Sequence, residues 1–471
     1  MKIEQIYTGC LAQGAYYIES QGQAAIIDPL RQVDPYLQKA ARDQARIRYL
    51  LETHFHADFV SGHLDLSRKT GATIVFGPCA NPSFAAHIAV DGEELVLGDS
   101  KIRILHTPGH TLESCCYLVI DETGKPNALF SGDTLFIGDV GRPDLAQKAT
   151  GITIEQMTTL LFRSLAARIM PLPDDVLIYP AHGAGSACGK HMSRDTVDTL
   201  GHQKAVNYAL QKGLTEEEFV KKTTERLRPP PAYFPLNVKL NRTGYENLDQ
   251  VMDRAAHAFS PDAFEAAANE TGSLILDTRD GEIFASDYIP NSINIGVDGN
   301  FAPWAGTLIA DSRQKILIVA DPGREEEAAI RLARAGLDQS IGYLAGGFRA
   351  WKAAGKETDT IPSLSAPELA TKRAGEAAIL LDVRKRSEYD SEHIIGSVNA
   401  PLDYINDSMS LVKKDRIHYV YCAGGYRSMI FISILKARGY DKLVNVKEGF
   451  KAIKASGLFP LTEQVCPTTL L

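Results

Sequence analysis

The 471-residue sequence is poor in the features that mark a membrane span, a disulfide scaffold or a nucleic-acid binder. No stretch approaches the ~20 consecutive apolar residues that cross a bilayer. The opening "MKIEQIYTGC" lacks the apolar core of a secretory signal, so a cytoplasmic protein is expected. Only seven cysteines occur: Cys10, Cys79, Cys115, Cys116, Cys188, Cys422 and Cys466. An odd, scattered set is no disulfide framework, and most are expected to be free thiols serving as small core residues. Positive charge is also short. The formal net charge of −8 gives no reason to expect nucleic acid or an anionic membrane as partner. What remains is ordinary globular composition, 44% hydrophobic and 23% charged. The length suggests about three domains, each able to bury its own core.

Over the first 235 residues, "AAIIDP", "IRYLLETH", "TIVFG", "IRILHTPGH", "ALFSGDT" and "VLIYPAHG" read as buried strands that end in loops. Residues 153–169 and 195–212 read as helices. The stretch "RLRPPPAYFPLNVKLNRTG" then reads as an extended boundary, because consecutive prolines cannot continue a helix. Its interleaved Tyr233, Phe234 and Leu236 suggest that it packs on something. We place a linker at 236–257. Beyond it the chain repeats. "LILDTRDGEIFASDYIPNSINI" matches "ILLDVRKRSEYDSEHIIGSVNA", and "LAGGFRAWKAAG" matches "VKEGFKAIKASG". The offset of roughly 100 residues marks two copies of one domain, at 258–358 and 362–465. Each alternates strands with helices, the pattern of an α/β domain with a mostly parallel sheet.

His54, His110, Asp133 and His182 each follow an apolar strand-like run, in "HFHAD", "TPGH", "SGD" and "PAHG". Strands of one sheet deliver such loops to a common edge, and His/carboxylate clusters of this kind build metal sites. The order and spacing over residues 1–235 resemble the metallo-β-lactamase superfamily, which implies an αββα sandwich. That family's motif is HxHxDH, but here the chain reads "HFHADF", with Phe59 in the last position. Phenylalanine cannot donate an electron pair, so a two-metal hydrolase is disfavoured. The strong remainder is His54, His110 and Asp133, and two imidazoles plus one carboxylate with open positions suit non-haem Fe(II). Zinc with an activated water stays open as an alternative. "THFHADFVSGH" and "GDTLFIGDVGRPDL" look like the persulfide dioxygenase branch. That resemblance implies one Fe(II) per such domain, held by His54, His110 and Asp133. His56, Asp58 and His182 would surround these ligands, and Arg142 and Asp144 would help hold the substrate's thiol carrier. Cys188, six residues after His182, is a candidate for contact with substrate sulfur.

"VYCAGGYRS" lies between a strand-like and a helical run. A turn with two glycines at a helix N-terminus points backbone N–H groups inward, which favours a sulfur anion. Cys422 begins this turn, Gly424 and Gly425 open it, and Arg427 closes it. The element resembles the rhodanese CxxGxR loop, implying a thiol that carries sulfane sulfur. The earlier copy has Asp321 at the cysteine position and is expected to be catalytically silent.

Together these resemblances imply a fusion of a persulfide dioxygenase with one silent and one active rhodanese copy. The expected substrates are a glutathione or coenzyme A persulfide, O2, sulfite and thiosulfate, in persulfide detoxification. A homo-oligomer is expected. The alternative is a zinc thioester hydrolase resembling glyoxalase II, fused to a sulfurtransferase.

Overall fold

The structure is a computed structural model that describes residues 1–145, 151–225, 227, 229–373 and 378–465. Cys466 and the two arginines of "RLRPPP" lie outside the described residues. Two compact units result, Met1–Asp249 with Ala333–Gly336, and Gln250–Leu332 with Leu337–Leu471. Among the described residues, no helix is long and apolar enough to cross a membrane.

In the first unit, strands β1 (Lys2–Thr8), β2 (Gln13–Ser20), β3 (Gln23–Ile27), β4 (Arg46–Glu52), β5 (Thr73–Phe76) and β6 (His87–Ile88) form one sheet in that order. A second sheet holds β7 (Glu94–Leu97), β8 (Ser100–His106), β9 (Cys115–Ile120), β10 (Pro126–Gly132), β11 (Leu177–Pro180) and β12 (Asp198–Thr199), again in sequential order. The side-chain period of two explains the layers. In β2, Tyr16 and Ile18 join the core between the sheets, whereas Ala15 and Tyr17 join a core beneath the helices Asp34–Arg42 and His63–Thr70. The second sheet is covered likewise by helix Ile154–Ser164. This is an αββα sandwich.

The second unit holds two five-stranded sheets of identical order and all-parallel pairing. The first runs β13 (Ala258–Phe259), β17 (Ser340–Leu344), β16 (Ile316–Val319), β14 (Leu274–Asp277), β15 (Ile293–Asn294). The other runs β18 (Ser363–Leu364), β22 (Leu443–Val446), β21 (His418–Tyr421), β19 (Ile379–Asp382), β20 (Val398–Asn399). The sequence repeat is thus a structural repeat.

Two local expectations differ from the structure. Residues 195–212 are not one helix but β12, helix Leu200–Val206 and a 3₁₀ turn Tyr208–Leu210. Buried Asn207 breaks the run. Its side chain caps Ala209 N–H and donates to the carbonyls of Phe136 and Asp139. The proline-rich boundary is extended only briefly, because Phe234–Thr243 is helical. Pro235 falls in its first turn, where a missing N–H costs nothing.

Candidate metal centre and sulfur-carrying loop

Loops after β4, β8, β10 and β11 bring His54, His110, Asp133 and His182 together, all buried. His110 Nε2 lies 3.4 Å and His54 Nε2 4.0 Å from Asp133 Oδ2. His182 Nε2 lies 3.6 Å from Asp133 Oδ1 and 3.4 Å from Asp58 Oδ2.

The outer hydrogen bonds fix which ring nitrogen faces inward. Thr53 has a single hydroxyl proton, which it gives to Asp28 Oδ2 at 2.9 Å. Its oxygen, 2.9 Å from His54 Nδ1, therefore accepts from that ring. His110 Nδ1 donates to the Arg142 carbonyl at 2.8 Å, and His182 Nδ1 to the Ala12 carbonyl at 3.3 Å. All three imidazoles thus aim an Nε2 lone pair at Asp133, the arrangement outer partners impose on metal-binding histidines. Burial holds His54 well below the ordinary histidine range, helped by the neighbouring His56, His110 and His182, which keeps it a neutral donor.

His110 Nε2, His182 Nε2, Asp58 Oδ1 and both Asp133 oxygens are buried without a hydrogen-bond partner. Leaving so many polar atoms unpaired in one place is costly unless a cation satisfies them. His54, His110 and Asp133 offer ligand atoms within 4.8 Å of one another. So do His56, Asp58 and His182, and so do Asp133, His182 and Cys188. The residues fit a bound metal ion.

His56 is held differently. Its Nε2 turns to Asp28 Oδ1 at 3.1 Å and Glu52 Oε2 at 3.5 Å. Burial opposes its charge, but Asp28 above all, with Glu52 and Asp58, carries it up to about 9. Glu52 also takes Ser61 Oγ at 2.5 Å and faces His63 Nδ1 at 3.2 Å. Phe59 is fully buried, its ring stacked on His56 with centroids 4.3 Å apart.

Arg142 and Asp144 are paired with each other. The Arg142 guanidinium grips both oxygens of Asp144 at 2.6 and 2.7 Å and donates to the Ala187 carbonyl at 3.1 Å. Cys188 is buried, and burial first, then Asp133 and Asp58, pushes its thiol well above the ordinary range. It shares an apolar wall with Ala57, Phe136, Tyr233 and Phe234. Cys115 and Cys116 are buried in β9.

Sequence reasoning missed Asp28, Glu52 and Thr53, which hold His54 and His56 from behind, and Asn241. Asn241 Nδ2 donates to the carbonyls of His56 and Phe59, both at 2.8 Å, and its Oδ1 accepts from Ser61 N–H at 2.8 Å. One side chain therefore clamps two backbone carbonyls of the HFHADF stretch and the N–H of Ser61 just beyond it. No signal in a lone asparagine distant in sequence reveals this.

In the second unit, Cys422 follows β21 and precedes helix Tyr426–Ala437. Gly425, at φ 100°, lets the chain turn so that its N–H donates to Cys422 Sγ at 3.1 Å. A Cβ on Gly424 would meet nothing within 4 Å, so that edge of the loop is open. Phe450 N–H ties the Cys422 carbonyl at 2.7 Å. Arg427 is pinned by both oxygens of Glu388 at 2.6 and 2.8 Å. In the other copy, Asp321 occupies the cysteine position and Arg324 pairs with Asp298 and Glu327.

A model of the metallo-beta-lactamase superfamily matches residues 8–182, and a model of the rhodanese-like domain matches 260–354 and 365–456. The chain is 32% identical over 189 residues to a probable hydroxyacylglutathione hydrolase of Schizosaccharomyces pombe, covering 39% of this chain and 69% of the relative. It is 34% identical over 189 residues to a cytoplasmic hydroxyacylglutathione hydrolase of Arabidopsis thaliana, covering 39% of this chain and 67% of the relative. A solved metallo-beta-lactamase structure from Staphylococcus aureus is 31% identical with a TM-score of 0.63, covering 73% of this chain and 98% of that one. The chain belongs to the metallo-beta-lactamase superfamily. Its second unit carries two rhodanese-like domains, one with the thiol loop and one without.

Proposed function

We propose that the protein oxidises a low-molecular-weight thiol persulfide to sulfite at a single Fe(II) site and transfers sulfane sulfur at Cys422. The observation that carries this reading is Phe59. It removes an imidazole from a second metal site and leaves His54, His110 and Asp133 as the strong set, two nitrogens and a carboxylate suited to Fe(II). Fe(II) bound there would supply activation of O2 beside the persulfide sulfur. Thr53 and the Arg142 carbonyl keep the two imidazoles in their donating tautomer. Asp28 and Glu52 anchor His56, and Tyr233, Phe136 and Cys188 line an apolar wall that excludes bulk water. Overall, persulfide, O2 and water give sulfite and the free thiol.

At the second site, the Cys422 thiolate attacks the outer sulfur of a persulfide, and the carrier leaves as a thiolate. The N–H of Gly425 and the Arg427 guanidinium stabilise the resulting cysteine persulfide. Sulfite then attacks the sulfane sulfur, the S–S bond breaks toward Cys422, and thiosulfate departs. Glutathione and coenzyme A are the candidate carriers; Arg142 and Asp144 would help hold them, and the Arg142 carbonyl orients His110.

A second reading, a zinc-dependent thioester hydrolase fused to a sulfurtransferase, is favoured by the names of the two hydrolase relatives. Two variants test the division of labour. Cys422→Ser is expected to stop thiosulfate formation while sulfite formation continues. Asp133→Ala is expected to lose iron and O2 uptake while Cys422 still takes up sulfur. Full oxidation by Asp133→Ala would refute the ligand assignment, and loss of both activities in Cys422→Ser would refute two separate sites.

A further inference from the structure

Helix Tyr426–Ala437, which begins at the sulfur loop, has residues Ser428–Leu435 all buried. A helix that is apolar all round is enclosed on more than one side. On one side it packs against its own sheet, where Ser428 Oγ donates to Asn445 Oδ1 at 2.9 Å. On the other it meets the copy that lacks the thiol. Met429, Ile430 and Phe431 share one core with Leu276, Phe284 and Ile293 of that copy.

Three contacts cross between the copies close to the loop. Tyr426 Oη donates to the Gly296 carbonyl at 2.7 Å. Its ring lies against Gly299 so tightly that a Cβ there would sit 2.3 Å from ring carbons. Asn445, which holds Ser428, donates through Nδ2 to Glu282 Oε1 at 2.9 Å. A fourth, from Asn294 N–H to Ser433 Oγ at 2.9 Å, fixes the helix further along. Tyr426 directly follows Gly425, whose N–H points at the Cys422 sulfur. A shift of the tyrosine therefore shifts the donor that faces the reacting atom.

We infer that the silent copy is a positioning element for sulfur transfer: through Gly296, Gly299 and Glu282 it sets Tyr426 and Ser428, and with them the N–H groups around Cys422. This rests on the sulfurtransferase half of the reading above. It also gives the silent copy a role that needs no thiol, and it explains why a helix apolar on every side is tolerated in the active copy.

The test uses the full chain, with thiosulfate as sulfur donor and cyanide as acceptor. The readouts are steady-state kinetics and the mass of Cys422-bound sulfur after donor alone. Tyr426→Phe keeps the ring and removes the cross-copy hydrogen bond. Glu282→Leu removes the second strut, and Glu282→Gln restores an acceptor oxygen. Tyr426→Phe and Glu282→Leu are expected to lower kcat by roughly tenfold with KM for thiosulfate nearly unchanged, as for lost reacting geometry. Glu282→Gln should recover the rate, and O2-dependent persulfide oxidation should not change. Gly299→Ala should act like Tyr426→Phe; if it does not fold, Tyr426→Phe decides. Wild-type kcat in Tyr426→Phe and Glu282→Leu, with sulfur still loaded on native Cys422, would overturn the inference alone. No sulfur on native Cys422 would overturn the sulfurtransferase reading and the inference with it.

Discussion

At the scale of one residue, the proposed single-metal chemistry turns on Phe59. Its ring stacks on His56, where it contributes packing and no lone pair. Phe59→His should restore a donor beside Asp58 and His182. Metal analysis after zinc loading and dialysis should then rise from about one ion per chain to about two, given three protein ligands at the new site. A stoichiometry unchanged by the substitution would mean that Phe59 is not what limits the site to one metal. Glu388 makes a different prediction. Burial pushes its carboxyl up, but the hydrogen bonds and charge of Arg427 outweigh burial and hold it below the ordinary carboxylate range. A carboxylate with a depressed folded-state pKa contributes stability above its unfolded pKa and loses it as pH falls through the folded value. The stability gap between native protein and Glu388→Gln, from denaturant melts, should therefore be largest near neutral pH and close below the ordinary carboxylate range. A gap independent of pH would contradict the pairing.

Among the elements, helix Phe234–Thr243 shows why some of the site was hidden. The sequence placed an extended boundary there because three prolines dominate the local pattern. The structure keeps the prolines outside and uses the following residues as a helix that reaches back to the metal loop through Asn241. Asn241→Leu preserves volume and strips three buried backbone groups of their partner. At roughly 1–3 kcal/mol for each unpaired group, the loss in unfolding free energy should be clear in urea melts, and metal affinity should fall with it. Stability equal to the native protein would show that water replaces the side chain. By contrast, the strands ending in "ETH", "TPGH", "SGD" and "PAH" were legible, because each combines an apolar run with a chemically costly polar end. The same holds for "YCAGGYRS", where glycines, thiol and arginine fall within a few residues. Partners such as Asp28, Glu52 and Glu388 were not legible. Carboxylates are common, and only the fold shows which of them turn inward.

At the scale of the whole chain, duplication left one rhodanese-like copy with its thiol and one with Asp321 in its place. The repeat was visible from paired motifs. The role proposed for the copy without the thiol was not, because it rests on contacts of Gly296, Gly299 and Glu282 with residues more than a hundred positions away. The two chemistries connect through sulfite, which the first site would make and the second would consume. The most direct test of that account is O2 uptake by anaerobically prepared, Fe(II)-loaded protein given glutathione persulfide and then coenzyme A persulfide, with zinc-loaded protein alongside. Uptake with iron, none with zinc, and sulfite appearing in step with O2 loss is the expected result. No uptake with either persulfide while iron is confirmed bound, together with thioester cleavage by the zinc form, would contradict it and establish the hydrolase reading instead.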